Sequence, residues 1–359
     1  MTQSAKLYAV YADDGPAFCC KAVNSHYKPV ITSCQTLSFG NKLFAQCFLR
    51  MLSSRVIFLC SDEKPEIDVL KQMDSDKAAA AVPAKVRIMG ILNVTTDSFS
   101  DGGKFIKPEA ALKHALEMCS QGADIIDIGG ESTRPGAEQV GEQQEMDRVM
   151  PVLERLQAEA DVCVSLDTSR AQVMREGSRL GASMINDVRA LREPGALDAA
   201  VEAASRYKCE VCLMHMQGTP ANMQDKPYYD NVLTEVCNFL KACTDKCLSA
   251  GIEASQLLVD PGFGFGKTTE HNLQLLNQLQ RVCDLGYPVL VGLSRKRMFA
   301  DILGNPETGE PYSGDRTQAS VAAAQIAVTR GASIIRVHDV VETVQAMAVL
   351  GRVDRVAKA

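Results

Sequence analysis

Apolar positions recur along this chain in short runs rich in β-branched residues, separated by longer stretches with helical spacing. From Val86 onward there are eight such runs, and most of them end in polar residues. Alternation of short apolar strands with helical stretches predicts a parallel sheet with crossover helices. The predicted strands are VRIMGIL (86–92), DIIDIGG (124–130), VCVSLD (162–167), SMINDV (183–188), EVCLMHM (210–216), QLLVD (256–260), PVLVGLS (288–294) and SIIRVHD (333–339).

The joints between the predicted helices and strands support a repeated unit. Pro108 opens one helical stretch and Gly122 follows its end, which is the usual placement of the two residues. The joint itself recurs as GADIIDIGG at 122, GASMINDV at 181 and GASIIRVHD at 331. In each case a glycine can take the left-handed conformation that ends a helix before the next strand begins.

Eight strand–helix units between residues 86 and 359 fit a (β/α)8 TIM barrel, which usually needs about 250 residues. An open doubly wound sheet is the alternative, but the chain has no obvious reversal point, which favours closure. Residues 1–85 do not follow the plan and end in the linker-like stretch DSDKAAAAVPAK. They are predicted to form an N-terminal extension, to which the sequence assigns no role.

Composition and charge narrow the classes of partner. The net charge is -6 without any basic cluster, which argues against nucleic acid or an anionic membrane surface as a partner. No apolar run reaches the roughly 18–20 residues that a membrane span needs. The 13 cysteines include a C-x-x-C at Cys209 and Cys212, but this pair lies in an apolar strand and lacks a second ligand pair. Packing cysteines, kept reduced in a cytoplasmic protein, are therefore expected.

The stretch LLVDPGFGFGKTTEHNL (257–273) comes close to a nucleotide-binding loop. Gly266, Lys267 and Thr268 fit the end of the G-x-x-x-x-G-K-[ST] pattern, but Pro261 stands where its first glycine should be. Proline removes a backbone N–H that a phosphate cradle needs. We therefore expect Asp260, at the end of its strand, to face a pocket, and Lys267 to be a minor loop residue.

Polar residues stand where nearly every predicted strand stops. In a barrel these positions converge on the face that carries the active site. The expected ring consists of Asn93, Glu131, Thr133, Arg134, Asp167, Asn186, Asp187, His215, Asp260, Ser294, Arg295, Lys296, Arg336 and His338. Burying such a ring without a ligand would be costly.

The ring divides into two chemical halves. Asp167, Asn186, Asp260 and Lys296 suit a flat heterocycle that displays both donors and acceptors. The second half suits a phosphate or pyrophosphate, because it offers cations and a polar amide; its members are Asn93, Arg134, Arg336 and His338.

The chain from 86 to 359 resembles the dihydropteroate synthase family. The matching segments are IMGILNVTTDSFSDGG, DIIDIGGESTRPGA, VSLDTS, INDV, VCLMHMQG, LLVDPGFGFGKTTEHN, VGLSRK and IIRVHDV, in the family's order. The resemblance implies a (β/α)8 barrel that joins p-aminobenzoate to 6-hydroxymethyl-7,8-dihydropterin pyrophosphate with Mg²⁺ present. It also implies a homodimer, a target of sulfonamides and these two small molecules as substrates.

The resemblance also implies roles for individual residues. The pterin is expected to contact Asp167, Asn186, Met214, Asp260, Gly264 and Lys296, of which Asp167 and Lys296 are the expected catalytic residues. The pyrophosphate is expected to contact Asn93, Thr133, Arg134, Arg336 and His338, with Asn93 also holding Mg²⁺. The p-aminobenzoate pocket is expected to be framed by Phe99, Pro135, Phe265 and Arg297.

Departures from the family pattern leave other functions open. Thr96 replaces a proline common in the first loop, and many members have serine where Arg297 stands. Loss of the proline frees φ and makes the first loop more flexible. The resemblance therefore leaves the sulfonamide sensitivity of this chain open. A pterin-dependent methyltransferase would share the Asp, Asn, Asp set but has no use for the anion half. A non-catalytic pterin-binding protein is the other alternative.

Overall fold

The computed structural model of the chain describes residues 86–95, 108–132, 140–220 and 222–357, together with five short strands nearer the N-terminus. The chain divides into two compact units, 1–78 and 79–359. In the first unit, β1 (Ala5–Val10) pairs antiparallel with β4 (Leu37–Phe39) and β5 (Ile57–Leu59). A separate antiparallel pair joins β2 (Phe18–Lys21) and β3 (Val30–Ser33).

The second unit is built on eight parallel strands in the order the sequence predicts. These strands are β6 (Arg87–Asn93), β7 (Ile125–Gly129), β8 (Cys163–Asp167), β9 (Met184–Asp187), β10 (Glu210–Met214), β11 (Leu257–Asp260), β12 (Leu290–Val291) and β13 (Ile334–Val337). Consecutive strands pair from β6 to β11 and from β12 to β13, and β13 returns to pair with β6. The ring closes where Val259 bridges Val289 and donates its N–H to Pro288 O at 3.1 Å. The predicted (β/α)8 barrel is thus confirmed.

Helices connect the strands. Their bounds are Pro108–Ser120, Glu142–Glu159, Ala171–Arg179, Ala196–Tyr207, Val232–Ser249, Thr269–Asn277, Gln280–Cys283, Arg297–Leu303, Thr317–Thr329 and Val340–Ala357. Ala196–Tyr207 shows why they pack closely: its buried alanines recur at helical spacing and bring it against the helix before it. None of the helices in the described ranges is both long enough and apolar enough to cross a bilayer.

Strand alternation stacks two layers inside the barrel. The lower layer is an apolar floor made of Met89, Ile125, Met184, Cys212, Leu258, Leu290 and Ile334. Two residues further along their strands, side chains on the same face are mostly polar and include Asp127, Asn186, Asp260 and Arg336. Cys212 packs in the floor, and the Cys209 thiol donates to Ala182 O, so both cysteines serve packing as predicted. The floor positions the polar layer at the carboxyl ends of the strands.

Candidate active site

Four polar side chains join in one network above the apolar floor. Asp127 Oδ2 accepts from Arg336 Nε at 2.6 Å and from Asn186 Nδ2 at 3.1 Å. Arg336 also donates from its Nη2 to Asp167 Oδ2 at 2.7 Å. Three of these residues come from the consecutive strands β7, β8 and β9. Arg336 comes from β13, which is separated from β7 by β6 alone. The composition of the site is therefore set by which side chains of each strand point into the barrel.

Burial controls the ionisation of this network. Removal from water raises the pKa of Asp167 above its ordinary value; Arg336 opposes the shift and Asp127 adds to it. For Arg336, burial acts to lower the pKa, but the carboxylates of Asp127 and Asp167 more than offset it, so the guanidinium stays charged. The result is a cation held between carboxylates in a largely buried position, where charges interact more strongly than in water.

Asp260 and Lys296 lie beside this network. Asp260 is buried, and its Oδ1 accepts the backbone N–H of Gly262 at 2.7 Å. Burial raises its pKa to about 6, against the lowering effect of that hydrogen bond and of Lys296. Burial and the charge of Arg336 lower the pKa of Lys296 to about 8. Both groups are thus charged at neutral pH, but each can change protonation state near it.

An apolar wall faces Lys296. Met214 is buried in a cluster with Val188, Met216 and Met223, and the Phe265 ring packs against this cluster. The Lys296 ammonium lies 4.2 Å from the centroid of the same ring. A cation over an aromatic face is attracted by the ring's quadrupole. The wall therefore provides a flat apolar surface next to hydrogen-bonding groups, as a planar ligand requires.

The glycine-rich loop between β11 and the next helix comes very close to the backbone of the segment that follows β10. Gly262, Gly264 and Gly266 all have positive φ. A Cβ on Gly262 would overlap the carbonyl oxygen of His215, and one on Gly264 would lie 3.0 Å from Lys296 Cδ. Glycine is required here by both conformation and space.

Lys267 is a buried structural cation, so its prediction as a minor loop residue is wrong. Its side chain is only 3% exposed, and its ammonium lies 2.9 Å from His215 Nδ1. Nothing in the sequence pattern indicated this, because the lysine follows a loop whose carbonyls only the fold brings together.

Of the residues expected to contact pyrophosphate, the structure describes Asn93, Arg336 and His338. Ser294 Oγ accepts the backbone N–H of His338 and lies 2.9 Å from His338 Nδ1. If the hydroxyl proton points to Nδ1, the ring carries its own proton on Nε2. Asn93 ends β6 and is partly exposed at the same end of the barrel. Phe99, Thr133, Arg134 and Pro135 lie outside the described residues, as does Thr96, so their roles stay predictions.

Some residues of the predicted ring lie elsewhere. Asp187 points away from the pocket and accepts the backbone N–H groups of Arg189 and Leu191, because it alternates with inward-facing Asn186. Glu131 pairs with Arg189 at 3.3 Å, and Arg295 pairs with Asp339 at 2.5 Å. His215 is buried against Lys267. Asp187 and His215 are therefore held by loop contacts away from the pocket, contrary to the prediction, whereas the place of Glu131 and Arg295 in the ring stays a prediction.

Two further predicted residues need comment. Arg336 is predicted for the phosphate half of the ring, but two of its five N–H groups bind the carboxylates of Asp127 and Asp167. This member of the predicted phosphate half therefore also contacts the heterocycle half. The Arg297 side chain is 81% exposed and lies 3.9 Å from Asp301, at the solvent side of its helix. Its place in the p-aminobenzoate pocket stays a prediction.

Asp127 is the main residue that the sequence missed. It lies inside the apolar run DIIDIGG, although alternation with Ile125 and Gly129 indicates the inward face. Its Oδ1 and the Oγ of Ser165, directly opposite on β8, are buried and have no hydrogen-bond partner within the part of the chain described. Buried polar atoms are usually hydrogen-bonded, so these two mark a polar spot in the interior of the barrel beside the Asp127–Arg336 pair.

Asn93 is the described residue to which the resemblance assigns Mg²⁺, and this assignment stays a prediction. The described residues contain no group of three or more His, Cys, Asp or Glu side chains that could bind a metal. Asn93 offers a neutral oxygen at the pocket rim, and Mg²⁺ is commonly held by one or two side chains together with substrate phosphates. Asn93 is thus compatible with a metal that arrives with its phosphate.

A polar pocket with carboxylates, an amide and cations at the carboxyl ends of the strands defines a (β/α)8-barrel enzyme. The model of the family described as "Pterin binding enzyme" matches residues 89–338. Dihydropteroate synthase of Haemophilus influenzae is 51% identical over 257 residues, which cover 72% of this chain and 90% of that protein. The chain therefore belongs to the pterin binding enzymes and, within them, to the dihydropteroate synthase family.

Solved structures agree with the sequence comparison. The Yersinia pestis dihydropteroate synthase in complex with a sulfonamide drug is 51% identical, with a TM-score of 0.68 over 75% of this chain and 94% of that one. The Xanthomonas albilineans enzyme in complex with 7,8-dihydropteroate is 46% identical, with a TM-score of 0.65 over 75% and 94% of the two chains. The resemblance predicted from the motifs is confirmed.

Proposed function

We propose that this enzyme joins p-aminobenzoate to the methylene carbon of 6-hydroxymethyl-7,8-dihydropterin pyrophosphate, forming 7,8-dihydropteroate and releasing pyrophosphate. The observation that carries the proposal is the network of Asp127, Asn186, Asp167 and Arg336, next to Asp260 and Lys296. It combines acceptors, an amide and cations within one inward-facing layer. An uncharged heterocycle with several N–H groups would satisfy this layer.

Pterin binding is assigned to the deep part of the pocket. The Asp260 carboxylate can accept two parallel N–H bonds from an amidine-like edge, which orients the ring as well as binding it. Asn186 is held by Asp127, so its amide oxygen is presented in a fixed direction. Met214 and the Gly264 backbone then provide surfaces for the two faces of the ring.

Charge development explains the carboxylates. As the methylene C–O bond breaks, its electrons leave with pyrophosphate and positive charge builds on the electron-rich pterin. Asp167 and Asp260 stabilise that charge by preorganised electrostatics. The neutral arylamine nitrogen then attacks the methylene carbon and loses a proton to solvent or to the departing phosphate. The step needs no dedicated strong base.

The departing anion is assigned to the rim of the pocket. Arg336 has N–H groups beyond those that bind Asp127 and Asp167, and we assign the Nε2–H of His338 to this side. Mg²⁺ held by Asn93 would supply charge neutralisation for the pyrophosphate. Thr133 and Arg134 are assigned here by resemblance. Phe265, with Phe99, Pro135 and Arg297, is assigned to p-aminobenzoate.

The location and assembly of the enzyme are also proposals. We assign a cytoplasmic homodimer on the basis of the family resemblance and of eight free cysteines in the described part of the chain.

Turnover tests the proposal directly. Purified protein is mixed with the dihydropterin pyrophosphate, p-aminobenzoate and Mg²⁺, and pyrophosphate release is followed. Lys296→Ala should reduce the rate strongly, whereas Lys241→Ala, which removes an exposed lysine paired with Asp245, should not. Wild-type release no faster than that of Lys296→Ala would refute the synthase assignment. Pterin binding without release would favour the non-catalytic alternative.

A further inference from the structure

Lys267 lies in a cage of acceptors formed by the loop that carries it. Its ammonium donates to Gly262 O and to Phe265 O, each at 3.0 Å, and contacts His215 Nδ1 at 2.9 Å. The three N–H bonds of an ammonium thus have three close acceptors. A buried charge is tolerated only when it is satisfied in this way.

The histidine in the cage is set as an acceptor. While Lys267 is an ammonium it can only donate, so His215 Nδ1 then carries the lone pair and the ring is neutral. Burial and the charge of Lys267 lower the pKa of His215 to about 3, in keeping with this state. The ring is held edge-on to Phe239, with centroids 4.9 Å apart. His215 thus gives the lysine a fixed point at the end of β10.

The remaining polar groups of the loop are held by other elements. Tyr229 donates to Gly266 O at 2.7 Å, Gln224 donates to Gly264 O at 2.9 Å, and the Gly264 N–H donates to Asn272 Oδ1 at 2.8 Å. The turn itself is closed by the Phe265 N–H, which donates to Gly262 O at 3.1 Å. Lys267 adds the side-chain link that joins the carbonyls of Gly262 and Phe265 to His215, at the end of β10. The turn places Phe265 against the Lys296 ammonium and Gly264 against its stem.

We propose that Lys267 is a positioning residue for the proposed reaction: its buried ammonium holds the 262–265 turn so that Phe265 and Gly264 fix Lys296 in the pocket. Burial lowers the pKa of Lys267 to about 7, with Asp260 opposing the shift. The three acceptors favour the charged form, so the cage and the charge support each other. The inference rests on the proposed function for its kinetic part and on the geometry alone for its conformational part.

The conformational part is tested with a single fluorophore. The chain has no tryptophan, so Phe265→Trp places the only indole on the turn. Acrylamide quenching is compared in this background with and without Lys267→Met, which keeps length but removes all three donors. We expect the quenching constant to rise at least twofold and the anisotropy to fall. Lys241→Met, an exposed lysine-to-methionine change, is the matched control and should alter neither.

The kinetic part uses the native Phe265. Lys267→Met should lower kcat/KM for the pterin pyrophosphate at least tenfold per folded molecule. Combination with Phe265→Leu should cost much less than the product of the two single effects, because both act through Lys296. Lys267→Arg keeps the charge but presents a planar fork to a compact cage, so an intermediate effect is expected. Lys267→Arg also replaces Lys267→Met in both measurements if the methionine variant does not fold.

The two readouts separate the possible failures. Unchanged quenching in Lys267→Met would overturn the proposal whatever the activity. Increased quenching with unchanged kcat/KM would also overturn it, because the turn would then be held for stability only. If the wild-type protein releases no pyrophosphate, the synthase assignment fails, and quenching still decides whether Lys267 holds the turn.

Discussion

A single carboxylate, Asp260, shows how this barrel prepares a group for binding. The side chain is buried at the end of β11, where the Gly262 N–H stabilises the Oδ1 atom. Burial raises its pKa to about 6. The group is therefore a carboxylate at neutral pH, but a poorly solvated one, which strengthens any hydrogen bond that a ligand donates.

Pterin affinity should depend on the ionisation of Asp260. Below its pKa of about 6 the residue gains a proton and loses its paired acceptor, so affinity should fall as pH falls through that value. Asp260→Asn should weaken binding by about 2–4 kcal/mol at pH 7.5, the usual cost of breaking a charged hydrogen-bond site. Calorimetric titration with a pterin ligand from pH 5 to 8 measures both effects.

The variant also provides the control for that pH profile. Asp260→Asn should bind weakly at every pH and lack the change near pH 6. A wild-type affinity that does not change between pH 5 and 7 would show that another group accepts the pterin N–H bonds. Asp245→Asn, an exposed substitution on the helix Val232–Ser249, should leave the profile unchanged.

Single residues also mark the limit of what sequence can predict. Asp260, Asn186 and Asp167 stand at strand ends, where barrel geometry predicts function. Asp127 stands in mid-strand, and only alternation indicates that it faces inward. Lys267 could not be found from the sequence, since its partners, His215 and the loop carbonyls, come together only through the paired ends of β10 and β11.

At the scale of elements, the loop after β11 depends on backbone contact that leaves no room for a side chain. Gly262→Ala should destabilise the barrel and abolish pterin binding, because its Cβ would overlap His215 O at a position with φ of +69°. Gly286→Ala is the matched control: φ there is +87°, but no atom lies within 4 Å of the added Cβ. It should cost only about 1–2 kcal/mol, the strain of a left-handed alanine.

Urea unfolding of the two variants measures the difference. Gly262→Ala should lose clearly more free energy of unfolding than Gly286→Ala. Pterin binding should disappear in Gly262→Ala and persist in Gly286→Ala. Equal losses would mean that conformation, rather than close contact with His215, accounts for the glycine.

The strands are the elements that the sequence predicts best. All eight lie inside or within one residue of their predicted ranges, because short apolar runs that are buried on both faces stand out from the helical stretches between them. The largest difference is β12, predicted as 288–294 and observed as Leu290–Val291. Pro288 lacks an N–H for the ladder, and Gly292 and Ser294 already belong to the pocket side, so pairing is brief.

At the scale of the molecule, residues 79–359 form a unit with its own core. A chain beginning at Ala79 should therefore fold, release pyrophosphate and unfold within about 2–4 °C of the full chain, a shift that corresponds to about 1 kcal/mol. A chain beginning at Ile91 loses half of β6, and with it all four register pairs to β13 and two of the five to β7, so it should not fold. Circular dichroism melts compare the three proteins.

The result also bears on the residues before the barrel. If the Ala79 chain does not fold, the first unit is part of the stable structure and the predicted extension is not separable. The sequence predicts where the barrel begins because strand patterning starts there. It could not predict what precedes it, because the runs in residues 1–85 follow no repeated plan.

The closure between β11 and β12 gives the barrel one weak seam. Every other pair of adjacent strands has a ladder of at least two register pairs, whereas this junction has the single bridge of Val259 to Val289. Asp260 adjoins that bridge, so the binding carboxylate lies on the strand that is freest to part from its neighbour. Local opening would begin there, and the Val259 amide should exchange with deuterium sooner than the amides of β7, unless a bound pterin closes the seam.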